Sequence, residues 1–153
     1  MKKYAFAFAW LVLLFFAADV HSQTFDRKNI EATVGLAVKK AYATSVRIWG
    51  FDSVTKQQAS AQFSGVVVTE EGHILTVAHA AVPGRTYKIF FTDGKEYLAL
   101  GLGRIGFADK QNMPDVAVLK IIEKGKWPYA EMGWSSSLKV NEPCVSIAYP
   151  ETL

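Results

Sequence analysis

The sequence predicts an all-β chain: one six- to seven-stranded barrel lobe, preceded by a short amphipathic helix and a signal peptide. Three observations carry that expectation. From Ser45 onward, short β-branched and aromatic segments alternate with turn residues. Helical periodicity is confined to the stretch before Ser45, and the first 22 residues have the layout of an export signal.

In that leader, Lys2 and Lys3 precede an uncharged, mostly apolar run of 14 residues from Ala5 to Ala18, and Val20 and Ser22 lie ahead of an expected cut before Gln23. Crossing a bilayer takes roughly 20 apolar residues, so membrane contact is expected only through this signal. Asp26 is placed to cap a helix in which Ile30, Val34, Ala37, Val38 and Ala41 recur at spacings of three and four. That stripe has small residues and no aromatic anchor, so docking on the following domain is expected rather than a membrane surface. The expected organisation is therefore signal peptide 1–22, helix 23–44 and barrel 45–153.

Within the barrel, Ser45 to Phe51 alternates, with Val46 and Ile48 facing one way and Arg47 and Trp49 the other. A strand over Ala59 to Thr69 turns at Glu70-Glu-Gly72 into Ile74 to Val77. A second hairpin turns at Asp93-Gly94, between Tyr87 to Phe91 and Glu96 to Gly103. The run Val116-Ala-Val-Leu lacks alternation and suits a strand covered on both faces. Val116 to Ile121 and the apolar Pro143 to Tyr149 complete about seven strands, the number of a small closed or nearly closed barrel. The polar stretch from Gly106 to Pro114 is expected to be a surface excursion.

Bulk properties exclude several functions. The formal charge is +3, of which the leader holds +1 through Lys2, Lys3 and Asp19, leaving +2 on the remaining 131 residues. With no basic run, a nucleic-acid surface is not expected. Cys144 is the single cysteine, so no internal disulfide can form, and its apolar neighbours suggest a small buried hydrophobe rather than a reactive thiol. His73 and His79 lie six apart with no Cys or acidic partner at ligand spacing, so neither a metal nor a cofactor is expected. Trp127 and Trp134 are expected to pack the barrel or its rim.

Chemistry is carried by His79 and Asp115. Histidine titrates near neutral pH and can accept a proton from a nucleophile. Such a base needs a buried carboxylate to fix its tautomer and stabilise its protonated form. Asp115 follows His79 by 36 positions, with two strands between that can return the chain to the same barrel rim. Ser64 lies in a strand, and Ser135-Ser-Ser137 lies in a loop with no base motif beside it, so none of these is expected to be a nucleophile.

Five stretches then occur in a familiar order: Ser64-Gly-Val-Val-Val, Glu71-Gly-His-Ile-Leu-Thr-Val-Ala-His79-Ala, Thr92-Asp-Gly-Lys, Asp115-Val-Ala-Val-Leu-Lys-Ile and Val140-Asn-Glu-Pro-Cys-Val-Ser-Ile-Ala-Tyr-Pro150. Residues 45–153 resemble the N-terminal barrel of trypsin-like serine proteases, most closely the HtrA/Deg branch. The resemblance implies a general base at His79, an orienting carboxylate at Asp115 and a protein or peptide substrate. It departs at Phe63-Ser64-Gly65, where the family has Gly-Ser-Gly, and at Ala148-Tyr149-Pro150, where it has Gly-Asn-Pro. The loop before Asp115 is lengthened as well.

The family's serine, oxyanion amides and specificity pocket belong to a second barrel that these residues do not contain. The expectation is therefore an exported endopeptidase, periplasmic or secreted, present as a fragment that lacks its serine-bearing lobe and is inactive alone. Its missing second barrel would join it in cis. The alternative is a non-catalytic single barrel that binds a peptide or partner chain. An uncovered lobe of either kind is expected to be sticky or dimeric.

Overall fold

A computed structural model describes residues 27–106 and 114–150. The leader, the Asp26 cap and most of the excursion before Asp115 lie outside the described residues. The chain divides into two compact units, residues 1–31 and 32–153, and the barrel belongs to the second.

The elements are α1 (Arg27–Tyr42), β1 (Ser45–Phe51), β2 (Gln58–Val67), β3 (His73–Thr76), β4 (Thr86–Phe91), β5 (Glu96–Ile105), β6 (Val116–Ile121) and a single 3-10 turn at Ser135–Ser137. The six strands close into a barrel in the order β1-β2-β3-β6-β5-β4, every pair antiparallel. Closure leaves each strand a neighbour on both sides, which removes the open edges that invite pairing with other chains.

Period-two alternation places the core. Val46 and Ile48 of β1, Tyr87 and Ile89 of β4 and Ala117, Leu119 and Ile121 of β6 point inward and are buried. In β6 the alternation is present although the sequence pattern hid it: Val116 and Val118 face outward and are half-buried, so the strand is not fully covered on both faces. Trp127 closes the end of the barrel opposite the β3–β6 exit. Its ring meets Tyr97 edge-on, Tyr97 meets Phe91 in the same way, and its backbone N–H donates to the Glu70 carbonyl at 3.0 Å.

Both expected hairpins are present. Gly72 and Gly94 take φ of +89° and +84°, and the Asp93 carboxylate accepts a hydrogen bond from the Lys95 N–H at 3.1 Å. Left-handed backbone at these two positions is what a glycine tolerates and a β-carbon resists.

Four expectations are corrected. Pro143–Tyr149 is not a seventh strand, because six strands already complete the cycle of pairings. The segment is held to β2 by side chains instead: Ser64 Oγ accepts from the Tyr149 N–H at 2.7 Å, and Gln62 Nε2 donates to the Pro150 carbonyl at 2.6 Å. Cys144 consequently lies exposed rather than buried. Trp134, expected on the barrel or its rim, is 84% exposed. The stripe expected of α1 is covered only in part: Ile30, Val34 and Ala41 are half-buried, while Ala37 and Val38 are exposed. No described helix is long and apolar enough to cross a membrane.

Candidate active site

β3 and β6 run antiparallel with Thr76 opposite Ala117, so the chain leaving β3 emerges beside the chain entering β6. His79 is three residues past Thr76 and Asp115 is two before Ala117. Their meeting is thus a consequence of strand register, not of a long flexible loop.

The segment carrying His79 is held by several independent contacts. Pairing between β2 and β3 ends at Val66 and Leu75, and beyond it the Thr76 hydroxyl donates to the Ser64 carbonyl at 2.7 Å. One helical turn follows, closed by the Ala81 N–H on the Val77 carbonyl at 3.2 Å. Ala78 and Ala81 are buried while His79 between them turns outward; only small side chains let the turn press so closely on the barrel.

On the far side, the turn Val82–Arg85 lies against β5. Gly84 N–H donates to the Gly101 carbonyl at 2.8 Å and Gly101 N–H to the Arg85 carbonyl at 2.9 Å. A β-carbon at Gly101 would collide with the Val82 carbonyl, so glycine is required there for close approach. The β5 register slips between Gly101 and Gly103, which turns Leu102 outward and brings Arg104 opposite Ala117. Arg104 Nη1 then donates to the Ala78 carbonyl at 3.2 Å, bracing the histidine turn from behind.

Asp115 is fixed by a similar pinch. Gly106, at φ +94°, brings its Cα against the Pro114 carbonyl so closely that no β-carbon fits. The two ends of the 106–114 excursion therefore meet at its base, immediately before Asp115.

The side chains engage at two points. Asp115 Oδ2 is 2.6 Å from His79 Nδ1, and Asp115 Oδ1 accepts the His79 backbone N–H at 3.0 Å. An ionised carboxylate can only accept, so the Nδ1 atom carries the hydrogen, and in the neutral ring Nε2 presents its lone pair. The bond to the histidine side chain is the main cause holding the Asp115 carboxyl below its ordinary value of 3.8; the His79 and Ala78 backbone N–H groups and the imidazole charge act in the same direction, while desolvation opposes them.

One expectation fails in detail. The side chains are 58% and 45% exposed, so the carboxylate is oriented at an open surface rather than buried.

The other residues singled out from the sequence lie apart from this pair. His73 is half-buried and bonds Thr69 Oγ1 through Nδ1 at 2.8 Å. The Ser135–Ser137 hydroxyls are on an exposed 3-10 turn, and Ser64 Oγ is occupied by the Tyr149 N–H. Among the described residues no hydroxyl is hydrogen-bonded to the His79 ring, and no three His, Cys, Asp or Glu side chains are grouped to hold a metal. Sequence reasoning missed Arg104 and the paired glycines of β5. The spacing Gly101-Leu-Gly103 is a bulge signal; Arg104 offers none, because its position depends on the bulge.

The family model for the Trypsin-like peptidase domain matches residues 63–153, which include both side chains of the pair. The "Serine protease HTRA1" of Xenopus laevis is 34% identical over 98 residues, covering 64% of this chain and 20% of that protein. The "Probable periplasmic serine endoprotease DegP-like" of Bartonella henselae is 34% identical over 87 residues, 57% of this chain and 16% of its own length. Its namesake in Rhizobium meliloti is 30% identical over 90 residues, 59% and 17% respectively. This chain spans a fifth or less of the length of these relatives. With a closed six-stranded barrel and these relatives in agreement, the chain belongs to the trypsin-like peptidase domain family and, within it, to the HtrA/Deg branch of serine proteases.

Proposed function

We propose that residues 45–153 are the N-terminal barrel of an exported serine endopeptidase in which His79 is the general base and Asp115 its orienting carboxylate. The serine comes from a second barrel, in cis, outside these 153 residues. The observation that carries this reading is the contact of Asp115 Oδ2 with His79 Nδ1, which leaves Nε2 free to take a proton. Residues 1–22 act as the export signal, and the word "periplasmic" in the relatives' names agrees with that route. The substrate is a protein or peptide chain, in keeping with relatives named as proteases.

In the reaction, Nε2 removes the serine proton as the oxygen attacks the scissile carbonyl, and Asp115 stabilises the imidazolium that forms. The same nitrogen then returns the proton to the departing amine, and a water repeats the cycle to release the acyl group. The isolated lobe therefore binds and orients but does not hydrolyse.

A fluorophosphonate probe tests the proposal. The product of the complete reading frame should be labelled stoichiometrically, the 153-residue chain should remain unlabelled, and His79→Ala in the complete product should lose labelling. Full labelling of that variant sinks the assignment of His79.

A second reading, a non-catalytic barrel that binds a partner chain, draws on the exposed apolar side chains Met132, Trp134, Leu138 and Val140. In the first reading the same segment meets the second barrel. Sedimentation of the purified chain measures whether it self-associates, and labelling of the complete product separates the two readings.

A further inference from the structure

His79 lines an open groove together with Gln62, Phe63, Ala80, Val82 and Arg85. We infer that this groove receives the leaving half of a peptide substrate, and that Arg85 selects an acidic side chain in it. The inference rests on the proposed role of His79.

The side of the cut follows from proton flow. The imidazolium hands its proton to the nitrogen that departs, so the half beginning with that nitrogen lies against the imidazole. The groove bordered by that histidine is assigned to the same half.

The preference follows from charge. Apart from the histidine, Arg85 is the one ionisable side chain lining the groove, and no carboxylate lines it. Its guanidinium donates through Nη2 to the Ala59 carbonyl at 3.2 Å and makes no ion pair among the described residues. The bond to β2 fixes the guanidinium but leaves its charge uncompensated. Asp115 does not line the groove; its two oxygens face Nδ1 and the backbone N–H of His79. The half-buried Phe63 and the exposed Val82 add apolar contact for the stem of the incoming side chain. A glutamate or aspartate thus meets a fixed cation, while a lysine there is repelled.

Binding to the 15N-labelled full chain tests this without requiring turnover. Three peptide amides with free amino termini imitate the leaving half: Ala-Glu-Glu-Ala, Ala-Gln-Gln-Ala and Ala-Lys-Lys-Ala. The glutamate peptide should bind about two- to fivefold tighter than the glutamine peptide, the range of an exposed ion pair. It should shift the amides of Gln62, Ala80, Val82 and Arg85. Arg85→Gln should erase the preference while leaving the His79 ring nitrogen signals in place, and about 0.5 M salt should shrink it.

Equal affinity for the first two peptides, a preference that survives Arg85→Gln, shifts confined to other surfaces, or no binding at all would each overturn the inference. The ring signals in the same spectra report separately on the base. An Nδ1–H ring with no charge preference sinks only this inference, whereas a ring lacking the Nδ1–H tautomer sinks the role of His79 and this inference with it.

Discussion

At the scale of single residues, the hydrogen bonds to Asp115 make a pH prediction with a definite sign. Its folded carboxyl titrates below the ordinary value, chiefly because of the histidine side chain. The pair therefore favours the folded state above the unfolded carboxyl's pKa, about 4, and that contribution is lost as pH falls through the lower folded value. Asp115→Asn should remove this acid-side dependence, seen as convergence of the variant and parent urea midpoints as the pH is lowered. The same substitution replaces an obligate acceptor with a group that can also donate, so the Nδ1–H tautomer loses its enforcement. Nitrogen chemical shifts of the ring should then report the hydrogen moving towards Nε2. In a complete enzyme the expected loss is about 10⁴-fold in kcat, the scale known for a triad whose histidine takes the wrong tautomer; active-site-titrated rates would measure it.

Among the elements, the turns that carry the pair should be the sensitive places. Gly101→Ala drives a methyl into the Val82 carbonyl, and the Val82–Arg85 turn has to move or the strand has to bend. A loss of about 1–3 kcal/mol is expected, the usual cost of overpacking, measurable by denaturant titration. Gly106→Ala meets both a positive φ and the Pro114 carbonyl, so it should loosen the base of the excursion and weaken the Asp115 contact. The readout is broadening of the His79 ring signals even where the barrel stays folded.

These glycines also show where the sequence was and was not legible. β1 and β6 could be bounded to the residue because their apolar and β-branched runs are short and end at polar or turn residues, although in β6 the run hid which face points inward. His79 and Asp115 could be named because each follows or precedes a readable strand. The β5 bulge, and with it the bracing of Ala78 by Arg104, depends on a register slip that no linear pattern specifies. Pro143–Tyr149 was misread for the opposite reason: its apolar run has strand character, yet the barrel had no vacant ladder for it.

At the scale of the whole molecule, the described residues share one apolar interior, and the single cysteine allows no internal disulfide to staple it. Leu119→Ala, at a fully buried position, should cost about 2–5 kcal/mol, measured as a drop in the urea midpoint. The exposed segment from Met132 to Val140 should contribute little to that midpoint, because its large apolar side chains touch mainly solvent. How much of the α1 stripe is covered was illegible for a physical reason. Spacing gives a helix its stripe but does not give it a neighbour, and small side chains such as Ala37 and Ala41 offer little apolar area to reward contact.

The register that sets Thr76 opposite Ala117 links orientation of the imidazole to the barrel's cooperative unit. Opening elsewhere on the surface can expose backbone without parting the two strands, whereas parting them separates base from carboxylate. Amide hydrogens of β6 should therefore exchange with deuterium through the same opening event that releases the histidine ring, with one common free energy and one common denaturant dependence.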